Sequence, residues 1–225
     1  MYHYALIENG RFEETEMRDK VLLETGCGRG GGLNYLATIL RPHQVIGVDN
    51  SRTNIEFCRQ QWPKGHHVSV EFIQGDSEKL SSVVPRHSVD CIVDIEAFFY
   101  YQDKNSYFRE AHSVLKEDGR LFMAFFIQRT RLEEIHNFIR QYFDILKEDD
   151  ITENALHSLR LDSQKLSRFA DTHYPMGKFL FLDLIPLGIN SMFKQFWGIE
   201  GSMFHGLLAN RTFIYKSFVL RKRHF

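Results

Sequence analysis

The sequence predicts an α/β fold: a seven-stranded, mostly parallel sheet with helices on both faces and a helical insertion before the last strand. Three observations predict it. Strand-like and helix-like stretches alternate along the 225 residues, as parallel strands joined by helical crossovers require. Residues 21–32, Val-Leu-Leu-Glu-Thr-Gly-Cys-Gly-Arg-Gly-Gly-Gly, place an apolar strand, an acid and a cluster of glycines directly before a helix-like run. Acids also recur at the ends of the first three strand-like runs: Glu24, Asp49 and Asp76.

The elements follow in order. The first strand is predicted near 20–24, then the glycine loop, then a helix over 33–40. The second strand, 44–49, ends on Asp49 and leads into a helix over 51–61. The third, 68–74, is followed by Gly75-Asp76-Ser77 and a helical stretch at 78–83. The fourth spans 89–95. A helix over 105–115 puts Phe108, Ala111, His112 and Leu115 on one face and stops at Glu117-Asp118-Gly119. The remaining strands are predicted at 120–126, 143–148 and 212–220, with a helix over 132–142. Residues 151–211 are too long for a loop and form an insertion within a single domain spanning 1–225. Its first half is polar and helical in pattern, with Leu156, Leu159 and Leu161. The second half is aromatic, with Phe179, Phe181, Phe193, Phe196, Trp197 and Phe204.

The glycine loop exists to bring a ligand against backbone. Glycine permits positive φ and close approach, and the helix that follows aims its free N–H groups at whatever sits there. The spacing Gly26-x-Gly28-x-x-Gly31 satisfies a dinucleotide fingerprint as well as a Glu-x-Gly-x-Gly-x-Gly pattern. Glu24 favours the second pattern. A carboxylate two residues before the first glycine repels a pyrophosphate but welcomes a cationic ligand such as S-adenosylmethionine, which carries an ammonium and a sulfonium. Asp49 is placed to accept ribose hydroxyls and Asp76 to accept an adenine amino group, although each acid alone also reads as a helix cap.

Taken together, Glu24-Thr-Gly-Cys-Gly-Arg-Gly, Val48-Asp49, Gly75-Asp76 and the strand ending at Asp94 resemble class I S-adenosylmethionine-dependent methyltransferases over roughly residues 20–130. A narrower likeness, to the phthiotriolone and phenolphthiotriolone dimycocerosate methyltransferases and related natural-product O-methyltransferases, rests on four short matches. They are Cys27-Gly28-x-Gly30-Gly31-Gly32-x-x-Tyr35-Leu36, Glu96-Ala97, Ser163-Gln164-Lys165 and Asp171-x-His173-x-Pro175. The resemblance implies a Rossmann-like fold with S-adenosyl-L-methionine as cofactor. It implies donor contacts from Glu24, Gly26, Cys27, Gly28, Gly30, Asp49, Asn50, Asp76, Ser77 and Ile95. It also implies methyl transfer to a hydroxyl of an apolar small molecule of lipid, polyketide or phenol type. In those enzymes a histidine stands two residues beyond the alanine of Glu96-Ala97, and here Phe99 occupies that position. Glu96, Tyr100 and His173 are the substitute catalytic candidates, with Tyr101 a further group that can orient an acceptor.

Composition narrows the classes. A formal charge of −1, from 28 basic and 29 acidic residues, gives no global attraction for nucleic acid. Cys27, Cys58 and Cys91 have neither metal-ligand spacing nor the number for a disulfide framework, so a reducing, cytoplasmic setting without a metal is expected. The longest apolar stretch, 179–187, is broken by Asp183 and Pro186, and neither a membrane span nor a signal peptide is expected. Few residues precede the first strand, where such enzymes carry lid helices. A shortened relative, an alternative start and a homodimer in which a partner supplies the lid all satisfy this. Two other functions stay open: a donor-binding protein of the same fold that serves as a partner or regulatory subunit, and an NAD-dependent oxidoreductase.

Overall fold

In the computed structural model the described residues are 14–62, 68–173 and 202–224. A short helix α1 (Glu14–Met17) precedes β1 (Val21–Thr25), which is followed by α2 (Gly31–Leu40), β2 (Gln44–Asp49), α3 (Arg52–Gln61) and β3 (Ser69–Gln74). Then come β4 (Val89–Ile95), α4 (Lys104–Val114), β5 (Leu115–Gln128), α5 (Leu132–Tyr142) and β6 (Phe143–Asp150). The chain continues through α6 (Thr152–His173) and α7 (Met203–Ala209) to β7 (Phe213–Lys222). The seven strands form one sheet in the order β3-β2-β1-β4-β5-β7-β6, and β1 pairs in parallel with both β2 and β4. Sheet and helices therefore take the predicted architecture.

The central strands are buried on both faces, which is why they read as unbroken apolar runs rather than alternating ones. Leu22, Leu23, Val45, Val48, Ile92, Val93, Leu121 and Phe122 are all essentially inaccessible. The covering helices are amphipathic: α2 buries Leu33, Leu36, Ala37 and Leu40, and α5 buries Ile135 and Ile139. Their starts are set by local chemistry. The Ser51 hydroxyl accepts from the Asn54 N–H at the head of α3, and Asp103 accepts from the Ser106 N–H at the head of α4.

Two elements differ from the sequence expectation. The stretch predicted as a helix at 78–83 is a 3-10 turn over Ser77–Ser82, interrupted by a non-helical Lys79 at φ −136° and ψ 36° and capped by Asp76. The predicted turn at 117–119 is not a strand boundary. β5 begins at Leu115, and its partner on β4 advances only from Val89 to Cys91 while β5 advances from Leu115 to Arg120. Residues 116–119 therefore bulge from a continuous strand, and Gly119 suits the bend because a Cβ there would meet the Lys116 carbonyl at 2.9 Å.

The described residues fall into two compact units. One takes those up to Phe126, with Thr130–Asp149 and those from Lys216 onward; the other takes Ile127–Arg129 and those between Asp150 and Tyr215. Within the second, the Arg211 guanidinium joins Asp150 and Glu153 at 2.9 and 2.8 Å, and the Thr152 hydroxyl accepts from the Tyr215 N–H. α6 realises the predicted helical half of the insertion. Phe179, Phe181, Phe193, Phe196 and Trp197 lie outside the described residues. No helix among the described residues is long and apolar enough to cross a membrane.

Candidate active site

The strand order reverses at β1: the chain winds outward one way through β2 and β3 and the other way through β4 and β5. Crossovers leaving a parallel sheet in opposite directions open a crevice at the carboxyl ends of the strands where the order turns. The glycine loop after β1 and the segment Glu96-Ala97 after β4 meet there. A Cβ on Gly26 would stand 2.3 Å from the Ala97 Cβ, so the two loops touch because residue 26 has no side chain.

Gly26, Gly28 and Gly30 all have positive φ, at 63°, 54° and 73°. Below, the loop is packed: a Cβ on Gly30 would meet Trp62 Nε1 at 2.9 Å and Cys58 Sγ at 3.0 Å. On its other side, a Cβ on Gly28 would meet nothing within 4 Å. The backbone is thus presented to open space at that residue. α2 starts at once, with no side chain capping its first turn.

The predicted donor-site residues Glu24, Gly26, Cys27, Gly28, Gly30, Asp49, Asn50, Asp76, Ser77 and Ile95 come together along this one edge, since β3, β2, β1 and β4 are adjacent and parallel. Their roles divide. Asp49 Oδ2 accepts from the Gly28 N–H at 2.9 Å, while Oδ1 accepts from the Ser51 N–H at 2.9 Å and from Asn54 Nδ2 at 3.2 Å. One carboxylate thereby fixes both the glycine loop and the start of α3. Asp76 is half-exposed, and its Oδ1 accepts from the Glu78 N–H at 2.9 Å, leaving Oδ2 directed toward Lys79 at 3.9 Å. Glu24 is buried at 1 % exposure. Cys27 turns its sulfur inward, where a Cβ on Gly47 would meet it at 2.9 Å, so it can offer a ligand only backbone. Burial, with the charge of Glu24 adding, pushes the Cys27 thiol far above its usual range.

Glu96 stands in the left-handed region at φ 61°, and its N–H donates to the Ala124 carbonyl. A non-glycine residue held there is strained and needs surroundings that enforce it. Its side chain reaches solvent, yet protein crowds it closely enough that desolvation, with the Asp94 charge adding, pushes the carboxyl up to about 7. Phe99 and Tyr100 are exposed at 48 % and 71 %, with the Phe99 ring 4.8 Å from Phe126 between centroids. Tyr101 departs from expectation: its hydroxyl turns inward and donates to Asp94 Oδ2 at 2.9 Å, so it is not presented to an acceptor. His173 ends α6 in the other unit, and its side chain lies outside the described residues. Asp94 and Thr25 carry interactions that the strand pattern did not reveal, because a buried strand-end acid and a threonine read only as local features.

The methyltransferase-domain family matches residues 23–123. The chain carries a methyltransferase domain. The phthiotriol/phenolphthiotriol dimycocerosates methyltransferase of Mycobacterium leprae is 26% identical over 93% of this chain and 72% of its own length. The fatty-acid O-methyltransferase of Mycolicibacterium smegmatis is 33% identical over 47% of this chain and 37% of its own. Among solved structures, Haemonchus contortus phosphoethanolamine N-methyltransferase 2 in complex with S-adenosyl-L-methionine superposes with a TM-score of 0.72 over 99% of this chain and 52% of that one. At 16% identity this likeness bears on the fold alone.

Methyltransferase domains of this class take the methyl group from S-adenosylmethionine, and the residues present fit that group. The open face of Gly28, the unlocked first turn of α2, a buried carboxylate at Glu24 and the acceptor atoms of Asp49 suit a cationic amino acid joined to a ribose. Among the described residues, no group of three or more His, Cys, Asp or Glu side chains could hold a metal ion. Asp49→Ala is expected to weaken binding of S-adenosylhomocysteine about tenfold in calorimetry, as charged hydrogen bonds contribute about 1.5–3 kcal/mol. Unaltered affinity would remove Asp49 from the donor site.

Proposed function

We propose that this methyltransferase transfers the methyl group of S-adenosylmethionine to a hydroxyl of an apolar small molecule, with Glu96 as the general base. The observation that carries this reading is Glu96 itself, held at positive φ beside the donor loop with a carboxyl that titrates near neutrality. A base is most useful when its pKa lies near the working pH.

Glu24, Gly28 and Asp49 would hold the donor, which supplies an electrophilic methyl group on sulfur. The acceptor oxygen forms the new O–C bond as the C–S bond breaks and its electron pair stays on sulfur; the hydroxyl proton passes to Glu96. Backbone and carboxylates thus supply orientation, which accounts for much of the rate in such a displacement. The exposed rings of Phe99 and Tyr100 support an apolar acceptor, and the Tyr100 hydroxyl is free to orient it. The substrates for which the two mycobacterial relatives are named, phthiotriol or phenolphthiotriol dimycocerosates and a fatty acid, support an apolar acceptor.

Labelled-methyl transfer into a panel of long-chain alcohols, phenols and fatty acids tests the reading. Label entering alcohols or phenols with a rate that rises through pH 7 is the expected result. Label entering only fatty acids, with no such rise, would remove the base, since a carboxylate acceptor has no proton to lose. Donor affinity with no label in any acceptor would favour a donor-binding partner protein, the reading that Phe99 at the expected histidine position supports.

A further inference from the structure

Beneath the donor loop lies a carboxylate bonded both to the end of β1 and to the turn that follows β4. Asp94, at the end of β4, is fully buried. Its Oδ2 accepts from Thr25 Oγ1 and from the Tyr101 hydroxyl, each at 2.9 Å, and its Oδ1 accepts from the Phe98 N–H at 2.9 Å. Thr25 Oγ1 lies 3.2 Å from the hydroxyl of Tyr107, which α4 buries completely and whose ring lies tilted against that of Tyr101, 4.6 Å between centroids. From the other side of the turn, Lys104 Nζ donates to the Tyr101 carbonyl at 2.7 Å and lies over the Phe98 ring at 5.4 Å.

The placement of these bonds along the chain gives them a purpose. Thr25 is the residue before Gly26, and Phe98 follows Ala97, the two positions at which the loops touch. The bond from Phe98 to Asp94 closes the chain back on itself across residues 95–97, and it is within this closed turn that Glu96 adopts its left-handed φ. We propose that Asp94 is the positioning residue of the methyltransferase site: through Thr25, Phe98 and Tyr101, whose hydroxyl lies under Gly26, it clamps the donor loop and the Glu96 turn into one relative geometry. The inference rests on the Glu96 reading for its catalytic meaning, but the clamp itself is a property of the fold. A buried carboxylate accepting three hydrogen bonds in a low-dielectric interior is well suited to it, because each lost partner leaves a desolvated polar group. Burial pushes the Asp94 carboxyl up, against the lowering by Thr25, Tyr101, Tyr107 and Phe98. Its charge also acts on Glu96.

Two variants test the clamp. Asp94→Asn keeps the shape and the acceptor for Phe98, while the Thr25 and Tyr101 hydroxyls can rotate to accept from the new amide; it removes the charge. Tyr101→Phe removes one donor and keeps the charge. Amide hydrogen exchange should become about tenfold faster at Cys27 and Gly28, on the far loop, in Tyr101→Phe. A role confined to the β4 turn would alter Phe98 and leave those amides at wild-type rates, and that result would overturn the proposal. In Asp94→Asn, the Glu96 carboxyl followed by carbon NMR should titrate below wild type, as expected on removal of a neighbouring like charge. If Asp94→Asn fails to fold, Tyr101→Phe decides. Turnover on a hydroxyl acceptor should fall about tenfold in Tyr101→Phe with affinity for S-adenosylhomocysteine within about threefold, since small misplacements cost rate before binding. A wild-type chain that labels no acceptor would sink the Glu96 reading while the exchange rates still decide the clamp.

Discussion

Gly26→Ala is expected to weaken S-adenosylhomocysteine binding at least about 100-fold while the sheet stays folded. Two costs combine. Alanine at φ 63° carries the left-handed penalty of about 1–2 kcal/mol. In addition, its Cβ would stand 2.3 Å from the Ala97 Cβ, a separation no pair of carbons tolerates, so one loop must retreat from the other. Neither partner is the flexible end of a long side chain, and the overlap cannot be relieved by a rotamer change. Gly28→Ala makes the contrast, because its Cβ would enter open space. That variant should lose only the backbone penalty in a thermal melt, yet still lose donor affinity, since the proposed reading puts the ligand in that space. Calorimetry and melting on the pair separate packing from ligand exclusion. Wild-type affinity in both would dismiss the glycine loop as the donor site.

Glu96→Gln is expected to lower turnover on a hydroxyl acceptor about 100-fold, the lower end of what a positioned base contributes. The loss should be pH-dependent in a definite direction. Wild-type Glu96 becomes a base only when ionised, so its rate should rise as pH passes through about 7, and the variant should show no such rise. Stability gives an independent check. The folded carboxyl titrates near 7 against an ordinary value of 4.5, so between those values the folded state holds a proton that the unfolded state has released. Stability therefore falls as pH rises across that window and is lowest above it. Glutamine has no proton to lose, so Glu96→Gln should melt higher than wild type at pH 8 and alike at pH 4. A variant with the wild-type pH profile and the wild-type melting curve at both pH values would sink the assignment.

The parts of the site that the sequence revealed are those in which the informative residues are neighbours. The glycines of residues 26–32 announce a backbone cradle because no ordinary strand-to-helix turn needs so many. Asp49 was legible as the acid that ends the second strand, though not as the residue that also holds the Gly28 N–H, twenty-one positions away in the chain. Glu-Asp-Gly at 117–119 carries turn chemistry and the chain does fold tightly there, but only the pairing of β5 with β4 shows that Leu115 has already joined the sheet before it.

The sequence by itself determined the sheet-and-helix alternation, the glycine loop and the acids at the strand ends, since apolar periodicity, glycine and capping chemistry act over a few residues. Only the tertiary structure decided that Gly26 is a contact point as well as a cradle, that Tyr101 faces inward, and that Asp94 ties the two loops together. The Asp94 partners Thr25 and Tyr101 stand 69 and 7 positions from it, and Tyr107 is 82 from Thr25. Bonds of that reach depend on which strands lie side by side, and a linear pattern carries no record of it.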